Sequence, residues 1–175
     1  MPPFVRASLA SLGVPGCKIL RWENRTDPLF HFLDPAAFPA TSAAMTGTHD
    51  TETLASWWEH ASWPERVAQM QVSTIFATRG VNDPGQSWNA ALRDALIELA
   101  YGAGSADLFF PIQDLFGWHD RINAPATIGE WNWTWRLPWA VDKLSEVPEA
   151  VERAEFCRAL AGRTGRGGKP EGSKA

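Results

Sequence analysis

The chain has 175 residues, of which 45% are hydrophobic and 21% charged, and its formal net charge is −4. This composition predicts one ordinary globular domain, and the acidic balance argues against a general nucleic-acid-binding protein. Its apolar runs are far shorter than the roughly 20 residues that a membrane-spanning helix needs, and glycine and proline interrupt any signal-peptide core, so we expect a cytoplasmic protein with no membrane partner.

The first half of the chain alternates helix and strand signals. A helix is predicted to end at Gly13, and a short strand to cover residues 17–22. A loop with several prolines leads to a second strand, residues 42–46. Helical spacing then covers residues 51–59.

The second half continues the alternation. Ser62 and Glu65 form a capping-box pattern, which predicts a helix running on through residue 77. Ser87 is predicted to cap the next helix, over residues 88–101. The continuous apolar run at residues 107–112 is typical of a parallel strand that is covered on both faces.

The end of the chain is predicted to be a helix followed by a tail. Pro148 opens a helix that reaches to about Leu160. We expect one domain over residues 1–161, and a flexible, basic, glycine-rich tail over residues 162–175.

Polar residues follow each of the three predicted strands, at residues 23–24, 49–50 and 113–114. Strands separated by helices predict an α/β fold with a parallel sheet. In such folds the carboxyl ends of the strands are where sites are built, so we expect these side chains to lie at one edge of the sheet.

Each of these residues also has a purely structural interpretation. Asp50 is a candidate N-cap for the following helix, and His49 a candidate buried histidine. Glu23 is a candidate loop carboxylate, and Asp114 a candidate turn cap.

A metal site is the third interpretation. The dipeptides His49-Asp50 and His119-Asp120 are similar to the His-Asp pair of metal-dependent phosphohydrolases, but the remaining histidines lie in no ligand-like motif. We therefore expect no metal, and the chain shows no glycine-rich phosphate loop.

Tryptophan is the compositional outlier, with ten residues. Four of them fall within residues 131–139, too dense a group for every ring to lie in a core. Indole rings also stack on the apolar faces of flat ligands such as sugars, so this segment is a candidate binding surface.

Four segments, in this order and spacing, resemble the 4-alpha-glucanotransferases, the amylomaltase and disproportionating-enzyme family: LGVPGCKILRW, TGTHDTETLASWW, LFFPIQDLFGWHDRINAPAT and WNWTWRLPW. The resemblance implies the last three βα units of a (β/α)8 TIM barrel, followed by a C-terminal helix and a disordered tail. It also implies retaining transfer of α-1,4-glucan segments between maltooligosaccharides, without a cofactor.

The resemblance assigns roles to individual residues. Asp50 matches the third catalytic carboxylate of the family, which together with the preceding histidine, here His49, holds the hydroxyls of the sugar beside the broken bond. Hydrogen bonds that tighten in an oxocarbenium-like transition state lower the barrier. Positions near the glucan cleft are matched by Gln113, Asn123, Asn132 and Trp133.

The sequence departs from the family pattern in three places. The nucleophile and the acid/base carboxylate belong to earlier strands of the family, and neither Glu23 nor Glu52 matches them. Thr51 and Glu52 stand where Asn and Asp commonly follow the His-Asp motif. Ala126 stands where a glycine is usual.

Two function hypotheses follow. In the first, the chain is the C-terminal portion of a 4-alpha-glucanotransferase, truncated at a gene boundary or split from an N-terminal partner. In the second, it is a non-catalytic glucan-binding or regulatory remnant. Because three strands leave open sheet edges, we expect the chain alone to be poorly soluble or oligomeric, and inactive.

Overall fold

The computed structural model describes residues 3–23 and 32–167. The chain separates into two compact units, residues 1–135 and residues 136–175. The three described strands belong to the first unit, together with the helices that connect them.

The sheet is parallel, as the sequence predicts. Its strands are β1 (Gly16–Ile19), β2 (Ser42–Met45) and β3 (Asp107–Phe109), in the order β1-β2-β3. Both pairs are parallel. Because parallel strands end at the same edge, the loops that follow all three strands meet there.

Helices precede, connect and follow the strands of the first unit. They are α1 (Pro3–Ser11), α2 (Leu54–His60), α3 (Trp63–Gln71), α4 (Ile75–Thr78), α5 (Ala90–Tyr101) and α6 (Ile112–Phe116). A single 3-10 turn, Pro35–Ala37, precedes β2. The predicted end of α1 is confirmed, because Gly13 follows it with a φ of +67° that glycine adopts without strain.

The core lies between the sheet and helices α2, α4 and α5. One face of α5 buries Leu92, Leu96 and Leu99, whose spacing puts them on one side of the helix. These side chains belong to the same cluster as the fully buried Trp58 of α2 and Ala44 of β2. The central strand is therefore the best-covered part of the sheet.

Two predicted boundaries before the core are wrong. The first strand ends at Ile19, because the N–H of Trp22 donates to the carbonyl of Ile19 and turns the chain. Helix α2 begins at Leu54, since Thr53 is its N-cap and accepts a hydrogen bond from the N–H of Ser56 at 3.2 Å. Asp50 is consequently not the cap.

The helix predictions in the middle of the chain are partly right. The capping box of Ser62 and Glu65 is present. The helix does not run through residue 77, however, because it stops at Gln71 and the hydroxyl of Ser73 accepts from the N–H of Ile75. Such local bonds compete with helix continuation.

The N-cap of α5 lies two residues later than predicted. Asn89, not Ser87, is the N-cap, and its side-chain oxygen accepts from the N–H of Leu92 at 3.0 Å. Asparagine and serine are about equally good N-caps, so the residue type alone does not decide between the two positions.

The third strand is shorter and more exposed than predicted. Its three residues end before Pro111, which precedes α6 and has no N–H to donate. Phe109 is 58% exposed. Burial on both faces is therefore wrong for β3 within the described chain, where β3 is an edge strand.

The second unit contains a 3-10 segment, Val141–Glu146, and helix α7, Pro148–Arg163. Proline at the first turn of α7 confirms the predicted start, and the helix extends a few residues beyond Leu160. Residues 168–175 lie outside the described part of the chain, so the division into a domain and a tail remains a prediction. In residues 3–23 and 32–167, no helix combines the length and apolarity needed to cross a bilayer.

Candidate functional site

The loop between β2 and α2 carries His49 and Asp50 at the carboxyl edge of the sheet. Their side chains are 54% and 47% exposed, so both are accessible to solvent. His49 Nε2 lies 3.4 Å from Asp50 Oδ2. His49 is thus not a buried histidine, and the pair presents a ring nitrogen and a carboxylate side by side.

A second loop, which follows α6, reaches the same pair. The side-chain amide of Asn123 donates to Asp50 Oδ1 at 2.6 Å. Arg121 donates through Nη2 to the backbone carbonyl of Asp50 at 2.9 Å. These bonds fix both the carboxylate and the backbone of Asp50 from outside its own loop.

Trp133 completes the group. Its ring centroid lies 5.1 Å from that of His49, with the planes tilted by 41°. Trp133 is 59% exposed, and its backbone has a φ of +65°, which costs a non-glycine residue conformational energy. A strained backbone of this kind persists only where surrounding contacts hold it in place. Here the N–H of Trp133 donates a hydrogen bond to the carbonyl of Ile122. We call His49, Asp50, Asn123 and Trp133 the exposed cluster.

The structure does not bring Asn132 into the exposed cluster through hydrogen bonds. Its side-chain oxygen accepts from the N–H of Ala124 at 2.9 Å, and its amide donates to the carbonyl of Thr127 at 3.1 Å. Asn132 therefore organises the loop that carries Asn123 and Trp133.

Gln113 is the predicted site residue that lies deepest. It is only 2% exposed, and it lines a small cavity of about 10 Å³ beneath the His49 loop, together with Thr48, Asp114 and Arg121. Gln113 is therefore part of the floor of this region and not of the exposed cluster.

Glu23, which follows β1, is explained locally. It accepts a hydrogen bond from Lys18 Nζ at 2.6 Å, forming an ion pair with its own strand. Its predicted neighbour Asn24 lies outside the described residues.

Asp114 has a larger role than the turn cap expected from the sequence. It is fully buried, and its two oxygens accept hydrogen bonds from the hydroxyl of Thr46 and the N–H of Leu54. Burial raises the pKa of Asp114 above its ordinary value, although the Thr46 hydroxyl, the Leu54 N–H and the charge of Arg21 oppose the rise.

Arg21 is a functional candidate that no sequence argument singled out. It is 9% exposed and donates to the backbone carbonyls of Thr46 and Glu52. Burial lowers the pKa of Arg21 below its ordinary value, with the carboxylates of Asp114 and Glu52 opposing the change, but an arginine remains charged at neutral pH. The sequence places Arg21 inside the first predicted strand, residues 17–22, where nothing marks it as a site residue.

The two His-Asp dipeptides make different contacts. His119 Nε2 lies 3.0 Å from Glu59 Oε1 in an exposed ion pair, whereas His49 faces Asp50 and Trp133. In the described parts of the chain, no three His, Cys, Asp or Glu side chains gather in a way that would hold a metal ion.

A parallel α/β sheet with an exposed polar and aromatic cluster at its carboxyl edge is typical of an enzyme that binds a small polar ligand. Comparison with known proteins makes the assignment specific. The family model described as 4-alpha-glucanotransferase matches residues 1–142. The chain therefore belongs to the 4-alpha-glucanotransferase family, as the sequence motifs indicate.

Curated relatives agree with this assignment. The 4-alpha-glucanotransferase of Synechocystis sp. is 30% identical over 159 residues, which is 86% of this chain and 29% of that protein. The enzyme of Chlamydia caviae is 27% identical over 148 residues, 82% of this chain and 28% of its own length. The chain thus spans under a third of the length of these relatives.

Solved structures share the fold. The amylomaltase of Streptococcus agalactiae, solved in complex with acarbose, superposes with a TM-score of 0.70 at 21% identity, over 96% of this chain and 30% of that one. The amylomaltase of Corynebacterium glutamicum gives a TM-score of 0.62 at 17% identity, over 89% of this chain and 27% of that one.

Proposed function

We propose that this chain is the part of a 4-alpha-glucanotransferase that holds an α-1,4-glucan during retaining transfer between maltooligosaccharides. The observation that carries the proposal is the exposed cluster: residues from two separate loops meet at the carboxyl edge of the sheet in a member of this family. We also propose that its three strands are the last three of a (β/α)8 barrel and that the protein is cytoplasmic.

The chemistry of the exposed cluster suits a sugar. Asp50 offers carboxylate oxygens that accept from ring hydroxyls, and the ring nitrogen of His49 donates or accepts according to its tautomer. The indole of Trp133 offers a flat apolar face, against which the C–H face of a glucose packs. Asn123 occupies Asp50 Oδ1 and so orients Oδ2 toward His49.

Asp50 and His49 are proposed to stabilise the transition state, not to break the bond. Retaining transfer needs a nucleophilic carboxylate and an acid/base carboxylate about 5 Å apart. We propose that these come from polypeptide outside residues 1–175, either continuous with this chain or a separate N-terminal partner. Gln113 and Asn132 are proposed to act from the floor and the loop rather than by direct contact with an exposed sugar.

Glucan binding tests the proposal directly. The monomeric fraction of the chain is titrated with maltoheptaose, followed by tryptophan fluorescence and by the NMR signals of the histidine rings, with the β-1,4-linked cellohexaose as the linkage control. We expect maltoheptaose to bind. His49→Ala removes a hydrogen-bonding ring and Asp50→Asn removes the charge that strengthens bonds to sugar hydroxyls, so each should weaken binding by about tenfold or more.

Matched variants separate the cluster from the rest of the surface. His60→Ala and Asp107→Asn change exposed residues elsewhere in the chain, and both should bind maltoheptaose as the parent does. Equal binding by the His49 and Asp50 variants, or equal affinity for cellohexaose, would contradict the proposal.

A transfer assay tests the proposed division of labour. The chain alone, incubated with maltotriose, should release no glucose and form no longer maltooligosaccharides, because the two reacting carboxylates are proposed to lie elsewhere. Robust transfer by the isolated monomer would show that this chain supplies all three carboxylates.

A further inference from the structure

The loop that carries His49 and Asp50 is held at both ends by buried polar groups. It leaves β2 at Thr46, whose side chain is fully buried. It enters α2 at Leu54. Its middle is exposed, so the geometry of the exposed cluster depends on how these two ends are fixed.

Asp114 joins the two ends through one carboxylate. The Thr46 hydroxyl donates to Oδ2 at 2.6 Å, and the N–H of Leu54 donates to Oδ1 at 2.7 Å. Asp114 is 0% exposed, so no water competes for these donors from bulk solvent. Breaking either bond would leave a buried polar group without a partner, which is costly. The segment after β3 therefore sets the distance between the end of β2 and the start of α2.

Arg21 holds the same loop from the opposite neighbouring strand. It follows β1, and it donates through Nη1 to the carbonyl of Thr46 at 3.1 Å and through Nη2 to the carbonyl of Glu52. Because the guanidinium is planar and rigid, these two bonds fix the separation of two backbone carbonyls on either side of His49 and Asp50.

Between its ends the loop has little freedom. The hydroxyl of Thr51 accepts from the N–H of Thr48 at 2.9 Å and donates to the carbonyl of Thr48 at 3.0 Å. A Cβ added at Gly47 would lie 2.6 Å from that hydroxyl and 3.5 Å from Asp114 Oδ2. Only glycine lets the backbone pass this close.

We propose that Arg21, Thr46 and Asp114, which we call the loop brace, are positioning residues for glucan binding. They act through the loop, by holding its ends so that His49 and Asp50 meet Asn123 and Trp133. The proposal rests on the proposed function, in which His49 and Asp50 hold the glucan.

The test uses two substitutions of Thr46 and one matched control. Thr46→Val removes the hydroxyl that donates to Asp114 and keeps the side-chain volume, while Thr46→Ser keeps the hydroxyl. Ser42→Ala is the control, because Ser42 lies at the other end of β2 and its buried hydroxyl bonds to that of Ser105 at 2.6 Å. This control loses a buried hydrogen bond of the same kind, away from the loop.

Two readouts are measured on each variant: the affinity for maltoheptaose and the ring proton signals of His49. The signals report geometry, since Trp133 lies 5.1 Å from the His49 ring and displaces its resonances. We expect Thr46→Val to weaken binding by roughly threefold to tenfold and to move the His49 signals toward those of a free imidazole. Thr46→Ser and Ser42→Ala should leave both readouts near the parent values, and the His119 signals should not move.

Unchanged affinity and unchanged His49 signals in Thr46→Val would overturn the proposal. An equal loss of affinity in Ser42→Ala would overturn it as well. In both cases the loop brace would contribute to stability but would not position the loop for binding. If Thr46→Val does not fold, Arg21→Lys decides, since lysine has no fork to span the two carbonyls. Weaker maltoheptaose binding and shifted His49 signals in Arg21→Lys would support the proposal, whereas parent-like affinity and signals would overturn it.

The outcome is separable from that of the proposed function. If the parent chain does not bind maltoheptaose, the glucan proposal fails. The His49 ring signals still decide whether the brace positions the loop.

Discussion

One loop of this protein combines two regions with opposite properties. At its tip, His49 and Asp50 are half exposed and contact residues of another loop. At its ends, the loop brace is buried. Exposed polar groups cost little to keep in place and are available to a ligand, whereas buried ones must be fully paired to be tolerated at all. Substitutions at the tip should therefore change ligand binding, whereas substitutions at the ends should change both ligand binding and the stability of the fold.

The largest expected effect is that of Asp114→Ala. Removing the carboxyl group leaves the Thr46 hydroxyl and the Leu54 N–H, both buried, without their acceptor, which should cost about 3–5 kcal/mol in the free energy of unfolding. Urea denaturation measures it. Asp107→Ala, at an exposed aspartate, is the control and should change stability by no more than about 0.5 kcal/mol. A loss below about 1 kcal/mol at Asp114 would show that the brace does not carry the loop ends.

A pH dependence follows from the same carboxyl group. Because burial raises the pKa of Asp114 in the folded state above 3.8, the folded protein holds this proton more tightly than the unfolded chain. That stabilising contribution is fully present below the unfolded-state pKa and is lost as the pH rises through the folded-state pKa. Asp114→Asn cannot titrate. The free energy of unfolding of the parent minus that of Asp114→Asn should therefore fall as the pH rises from 4 to 8. Urea denaturation at several pH values measures this difference, and a difference that grows with pH would contradict the prediction.

At the tip, Asn123→Ala should affect binding without affecting stability. It releases Asp50 Oδ1 from its 2.6 Å hydrogen bond, so the carboxylate gains freedom that glucan binding must remove again. We expect the affinity for maltoheptaose to fall roughly threefold to tenfold. Asn82→Ala, at an exposed asparagine near α4, is the control. A large loss of stability in Asn123→Ala would erase the contrast between tip and ends.

The α/β class of the fold could be predicted from the sequence, and the wrong element boundaries have physical causes. The parallel arrangement followed from short apolar segments separated by helical ones, and the capping box at Ser62 from local chemistry alone. The strand lengths could not be predicted in the same way. A turn hydrogen bond at Trp22 ends the first strand, and Pro111, which has no N–H, follows the end of the third. The break after Gln71 depends on a side-chain hydroxyl at Ser73, which competes with the helix.

The candidate site was also predictable only in part, because local sequence patterns do not show which distant residues come into contact. The position of His49 and Asp50 after a strand predicted that they lie at the carboxyl edge of the sheet, and they follow β2 there. The density of tryptophans pointed to the segment that contains Trp133, but Asn123 could be named only from the family motifs, because the approach of both residues to Asp50 depends on an irregular loop with left-handed residues. The roles of Arg21 and Asp114 could not be predicted, since a buried charge is recognisable as a brace only once its partners are known.

The smallest expected effect lies in that irregular loop, at Ala126. Its φ of +59° is in the region that glycine adopts freely and alanine does not, which gives a physical reason for the glycine that is usual there in the family. Ala126→Gly should therefore raise the free energy of unfolding by up to about 1 kcal/mol, once the greater freedom of glycine in the unfolded chain is subtracted.

A second alanine in the same loop provides the opposite sign. Ala124 does not have a positive φ, so Ala124→Gly gains no relief in the folded state and should lower stability by about 0.4–1 kcal/mol through the unfolded chain alone. Urea denaturation of the two variants in parallel measures the difference. If both glycines destabilise equally, the left-handed backbone at Ala126 carries no strain. If only Ala126→Gly stabilises, the loop that holds Asn123 against Asp50 is strained in this chain, and relieving that strain should leave the affinity for maltoheptaose unchanged or slightly higher.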